Sequence, residues 1–196
     1  MSIWISKAPV LGAIFALILA AGCVPQTGIG SSRSAPILGG ALQIGVPAGY
    51  CIDGSASRER GDNAVILMGR CNDAARAIPA LVSVSVGQAA SAGVMTAGGA
   101  ALAGYFTSAQ GRATLSRDGR ASDIKVVEAL GAGDAFLLHL QDRQTGDYWR
   151  AVTGIKGRLV TISATGTPEL PLTAADSRKV LDSVLIALRK ANPTAP

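Results

Sequence analysis

The sequence predicts an α+β fold: an antiparallel β-sheet, a meander in the C-terminal half, covered by an amphipathic C-terminal helix and a second, Ala/Gly-rich helix. Three observations predict it. Four extended runs, Ile124 to Leu130, Ala135 to Gln141, Tyr148 to Thr153 and Arg158 to Ala164, are separated by turn clusters at Gly131-Ala132-Gly133, Gln144-Thr145-Gly146 and Gly154 to Gly157. Connections that short join antiparallel neighbours. Val82, Val84 and Val86 alternate with Ser83 and Ser85, the pattern of a strand with one buried face. Finally, Val180, Leu181, Val184, Leu185 and Leu188 form one stripe of a helix over Ala174 to Ala191, with Thr173 as its cap and Asp176 three residues on.

The first 22 residues read as an export signal. Lys7 precedes an apolar run from Val10 to Ala21, which is too short for the ~20-residue span of a permanent membrane helix. The stretch Leu19-Ala20-Ala21-Gly22-Cys23 resembles the lipobox of bacterial lipoproteins, with Leu19 one position further from the cysteine than in the commonest spacing. That resemblance implies that Cys23 is alkylated by a diacylglyceryl group and becomes the mature N-terminus, anchored to a lipid bilayer and facing the periplasm. The alternative is an ordinary signal peptide cut after Gly22, because Ala20-Ala21-Gly22 also suits that peptidase.

The cysteine count bears on that choice. Cys23, Cys51 and Cys71 are three, and an exported protein with an odd number has one to explain. Lipidation of Cys23 leaves Cys51 and Cys71 as a disulfide pair in an oxidising compartment. Two distant cysteines and the single histidine do not supply a closed metal-ligand set, so no metal is expected.

Composition narrows the partners. The formal charge is +5, or +4 once Lys7 leaves with the signal. The basic residues are scattered, Arg112, Arg117 and Arg120 being the nearest to a cluster, and aromatics make up 4%. Nucleic-acid binding calls for a basic stripe interleaved with aromatics, so no nucleic-acid partner is expected. The expected partners are the bilayer and an envelope protein.

From Cys23 to Gly40 the chain is rich in Gly, Ser and Pro without hydrophobic period, which predicts a flexible tether over 23–40 and a single domain over 41–193. Ala41 to Val46 is a strand stopped by Pro47, and Tyr50 to Asp53 resumes an extended course. Gly54 to Asn63, charged and Ser-rich, reads as an exposed loop, and Ala64 to Gly69 as a buried strand. A helix is expected from Ala97 to Ala109, with Thr96 as cap and Leu102, Tyr105, Phe106 and Ala109 on one stripe.

Pairing the meander about its turns puts Leu140, Trp149 and Ile162 in one row and Leu138, Ala151 and Val160 in the next, a core face for the closing helix. The opposite face then carries His139, Arg150 and Thr161 in one row and Gln141, Tyr148 and Ser163 in another. His139, Gln141, Tyr148 and Arg150 all donate hydrogen bonds, so such a patch suits a carboxylate or phosphate. The competing account is a solvated sheet face.

Catalytic motifs are absent from the sequence. It has no Gly-x-Ser-x-Gly elbow and no phosphate-binding loop, and Gly131-Ala132-Gly133 lies between strands, where a dinucleotide fingerprint would open a helix. No catalytic residue or cofactor is therefore assigned, and a periplasmic hydrolase is the second reading. Val46-Pro47-Ala48-Gly49-Tyr50 after the first strand, the late meander and the closing helix resemble, over Ala41 to Asn192, the PsbP-like fold family, which includes several bacterial lipoproteins. The resemblance implies an α/β sandwich acting in binding or assembly. The expectation is a lipid-anchored binding or envelope-assembly module.

Overall fold

The structure, a computed structural model, describes residues 34–193. The expected signal segment and Cys23 lie outside the described residues. Two strands, β1 (Ser34–Ile37) and β2 (Leu42–Gly45), form a small antiparallel hairpin. The rest is a seven-stranded antiparallel sheet of β3 (Tyr50–Arg60), β4 (Asn63–Arg70), β5 (Leu81–Val86), β6 (Ile124–Ala132), β7 (Ala135–Asp142), β8 (Gly146–Ile155) and β9 (Arg158–Thr165). Their order is β3-β4-β5-β9-β8-β7-β6. Helices α1 (Gly98–Thr107) and α2 (Ala109–Leu115) follow β5, and α3 (Ala174–Ala191) closes the fold. The α+β expectation is met: the meander is β6 to β9, and α3 has the expected bounds.

The sheet buries both faces over β7 to β9. On one face, α3 lays Val180, Leu181, Val184, Leu185 and Leu188 against Trp149, Ala151, Val160, Ile162 and Leu137. Thr173 caps α3 by accepting from the Asp176 backbone N–H at 3.1 Å, as its sequence predicts. Beside α3, the β1–β2 hairpin covers Ile66, Met68 and the valines of β5. Asn192, just past α3, ties the two together by donating to the Gln43 carbonyl at 2.6 Å and accepting from its N–H at 3.0 Å.

The stretch read as a tether over 23–40 therefore ends earlier. Residues 34–40 belong to the fold, with Ile37 only 5% exposed. Pro36 misled because it removes a ladder donor, which an edge strand tolerates. The loop expected over Gly54 to Asn63 is also largely strand, since β3 runs to Arg60 with its register shifting between Asp53 and Arg58. Asp53 organises that irregularity, its Oδ1 accepting from Ser55 and Ala56 backbone N–H groups.

Cys51 and Cys71 form a disulfide, with Cα atoms 5.2 Å apart, joining β3 to the segment after β4. The pairing follows from local structure: Cys51 stands opposite Gly69, and the Cys71 N–H donates to the Gly49 carbonyl at 3.0 Å.

Candidate functional site

The second face of the sheet has a different character. Here β5 presents Ser83 and Ser85, the polar half of its alternation. They pair with Ser163 and Thr161 of β9, which in turn pair with Arg150 and Val152 of β8. The strand period thus assembles four hydroxyls and one guanidinium into a continuous floor. Over this floor stands the layer formed by Ser91–Ala97, a 3-10 segment, with α1 and α2. Leu102 and Phe106 from α1, and Leu115 from α2, join Phe136, Leu138, Leu140 and Tyr148 in a second apolar cluster.

Between floor and helices lies a cleft of about 660 Å³, within the ~300–1,000 Å³ of sites that enclose small molecules. Val94, Leu102, Tyr105, Phe106, Val152 and Leu159 give it apolar walls, with Ser83, Ser85, Thr161, Ser163 and Arg150 as polar lining. Val94 and Tyr105, 49% and 40% exposed, hold apolar surface where it opens.

Arg150 is half-buried. Its Nε donates to Ser163 Oγ at 2.9 Å, Nη2 to the Tyr148 hydroxyl at 3.2 Å and Nη1 to the Leu115 carbonyl at 3.5 Å. Burial pushes the Tyr148 hydroxyl above its ordinary pKa; Arg150 opposes that shift and Asp142 adds to it. Tyr148 is therefore a neutral acceptor at physiological pH. The last of the three bonds fastens the end of α2 to the sheet.

Of the four residues expected to share a polar patch, the structure brings together two. Arg150 lines the cleft and Tyr148 is buried on the same face beneath α1 and α2, whereas His139 and Gln141 stand on the α3 side. The expected row pairing is off by one residue between β7 and β8: His139 faces Trp149, Leu140 faces Tyr148 and Leu138 faces Arg150. The cause is the turn. Gly146, placed in the turn by sequence, is the first residue of β8 opposite Asp142, leaving a three-residue loop. Asp142 Oδ1 accepts from the Gln144 and Thr145 N–H groups, and Gly146 takes φ +84, the left-handed conformation that closes such loops. A one-residue slip exchanges the faces. Leu138 and Leu140 accordingly pack under α1 and α2 rather than under α3. Between β8 and β9 the difference is two residues, Trp149 facing Ala164, which leaves the faces unchanged.

His139 is stacked on Trp149, with ring centroids 5.0 Å apart. Its Nε2 lies 3.8 Å from Asp147 and makes no hydrogen bond. Gln141 is exposed opposite Asp147.

Sequence reasoning missed the roof of the site. Thr96 does not cap α1, and the helix expected to Ala109 is two helices broken at Ser108. Ser108 caps α2, accepting from the Gly111 N–H at 3.1 Å. The signals were present: Ser83 and Ser85 supplied the floor, and the stripe of Leu102, Tyr105 and Phe106 required an apolar partner. Among the described residues, no group of three or more His, Cys, Asp or Glu side chains is gathered to hold a metal. No helix among them is long and apolar enough to cross a membrane. Compared with known families, curated proteins and solved structures, the chain matches none.

Proposed function

We propose that this protein is a lipid-anchored binding module of the cell envelope, facing the periplasm, whose ligand site is the cleft beneath α1 and α2. The cleft carries the binding half of this reading: a half-open concave space of about 660 Å³ with apolar walls and a few converging polar groups is the usual form of a small-molecule site. The anchoring half rests on Leu19 to Cys23 and on cysteine parity, with Cys51 and Cys71 already paired. Ten residues, 24–33, separate Cys23 from β1. Fully extended they reach at most about 36 Å, so the domain works close to the membrane surface.

Each half has its own test. Metabolic labelling with an alkyne fatty acid marks the native chain and not Cys23→Ser; label persisting on the variant removes the anchor. A neutral fluorescent probe, N-phenyl-1-naphthylamine, brightens on binding the native protein, and Thr161→Phe, which fills the cleft, abolishes the signal. Equal brightening with the variant removes the cleft as the site.

A further inference from the structure

The cleft's polar groups are unequal in how they are satisfied. Several other arginines of the fold pair with acids: Arg158 with Asp62, Arg120 with Asp118 and Asp123, Arg178 with Asp182 and Arg189 with Asp134. Arg150, although half-buried, has no carboxylate within 4.0 Å among the described residues. Its three partners are the neutral oxygens of Ser163, Tyr148 and Leu115. A guanidinium has five N–H donors, so two remain, and the bond to Leu115 is at the long limit. The hydroxyls of Ser83, Ser85 and Thr161 also line the cleft, and among the described residues they make no hydrogen bond to protein.

A charge drawn partly out of water without a counter-ion is unfavourable, and a bidentate acid is the partner a guanidinium geometry fits best. The donors on the floor are of the same kind: hydroxyls that give hydrogen bonds to an acid's remaining lone pairs. Leu102, Phe106, Val152 and Leu159 cannot solvate a wholly polar anion, and Val94 and Tyr105 continue the apolar surface to the mouth.

We propose, resting on the cleft as the ligand site, that it binds an acidic amphiphile. A single acidic head group sits on Arg150 among the floor hydroxyls, and an apolar chain lies beneath α1 toward Val94 and Tyr105. The shared chemistry, an acid on a hydrocarbon chain, belongs to both fatty carboxylates and alkyl phosphates.

Titration of the full exported chain carrying Cys23→Ser, with ligands below their micellar concentrations, tests this. Displacement of N-phenyl-1-naphthylamine by dodecanoate, dodecyl phosphate, dodecanol and dodecyltrimethylammonium measures each affinity, and the cation is expected to bind more weakly than dodecanol. At least one of the two anions is expected to bind ~10- to 100-fold more tightly than dodecanol, the range of a charge-assisted hydrogen-bonded pair. The tighter anion identifies the head group. Arg150→Met removes that advantage while dodecanol still binds, and Arg150→Lys restores part of it. Ser83→Glu, which supplies an internal acid two strands away, acts in the same direction and decides the matter if Arg150→Met does not fold. Equal affinities for anions and dodecanol in the native chain, or anion affinity unchanged in the folded variants, overturn the proposal and leave the cleft standing. Failure of all four ligands and of the probe overturns the cleft reading, and this inference with it.

Discussion

His139 lies flat against Trp149, their rings 5.0 Å apart at the centroids and 11° from parallel, while the Arg178 guanidinium of α3 sits 4.7 Å from the same indole. Strand β8 and helix α3 are locked together here. The Trp149 backbone N–H donates to Ser177 Oγ at 2.8 Å, and that hydroxyl donates to the Ala164 carbonyl at 2.7 Å. Ser177→Ala strands a buried donor and a buried acceptor, so we predict a loss of about 2 kcal/mol. Trp149→Ala is predicted to cost about 3–5 kcal/mol through the cavity it leaves. Urea unfolding of each variant measures both losses, and probe binding in the cleft survives, because the damage is on the far face.

The Cys51–Cys71 disulfide closes a loop with a sequence separation of 20 residues. Its removal by Cys51→Ala/Cys71→Ala is predicted to lower stability by about 3 kcal/mol, chiefly by releasing the unfolded chain. Denaturant midpoints of the oxidised protein and the double variant read this directly.

Gly111 lets α2 pass close to the end of α1. A Cβ there would stand 2.0 Å from the Tyr105 carbonyl oxygen, which is backbone and cannot swing aside. Gly111→Ala is therefore predicted to displace α2 and the Leu115 carbonyl from Arg150. Overpacking of this kind costs about 1–3 kcal/mol. Hydrogen exchange is expected to rise at 98–115 and to stay unchanged in α3.

How much of this was legible in the sequence depended on whether a local signal set the outcome. Helix α3 was, because Thr173, Asp176 and five apolar residues at helical spacing agree. The strands of the meander were, because glycine clusters bracket them. Face assignment was not: it hung on whether Gly146 ended a loop or began a strand, and hydrogen bonds from two backbone N–H groups to Asp142 decided it. Helix α2 escaped notice because seven residues including a glycine carry no apolar period. The site suffered most, since Arg150 was identified but joined to His139 and Gln141 across a sheet that separates them.

Burial, only partly offset by the nearby charge of Arg70, pushes the Tyr50 hydroxyl pKa up to about 12, and the hydroxyl donates to the Ile78 carbonyl at 2.6 Å. A group whose folded pKa is raised stabilises fully below its unfolded value, near 10, and that contribution is lost as pH rises toward the folded value. Stability should therefore fall between pH 10 and about 12. Tyr50→Phe loses the hydrogen bond, about 1 kcal/mol at neutral pH, and shows a shallower alkaline decline. Denaturant unfolding across that interval compares the two.

On the proposed reading, ligand enters between the sheet and the α1–α2 layer. Amide chemical-shift mapping of the isotope-labelled chain carrying Cys23→Ser, titrated with dodecanol, tests it most directly. The largest shifts are expected at Ser83, Ser85, Leu102, Phe106 and Thr161, with His139, Trp149 and Ser177 unmoved. Shifts centred on His139, Trp149 and α3, with the cleft residues silent, would contradict it.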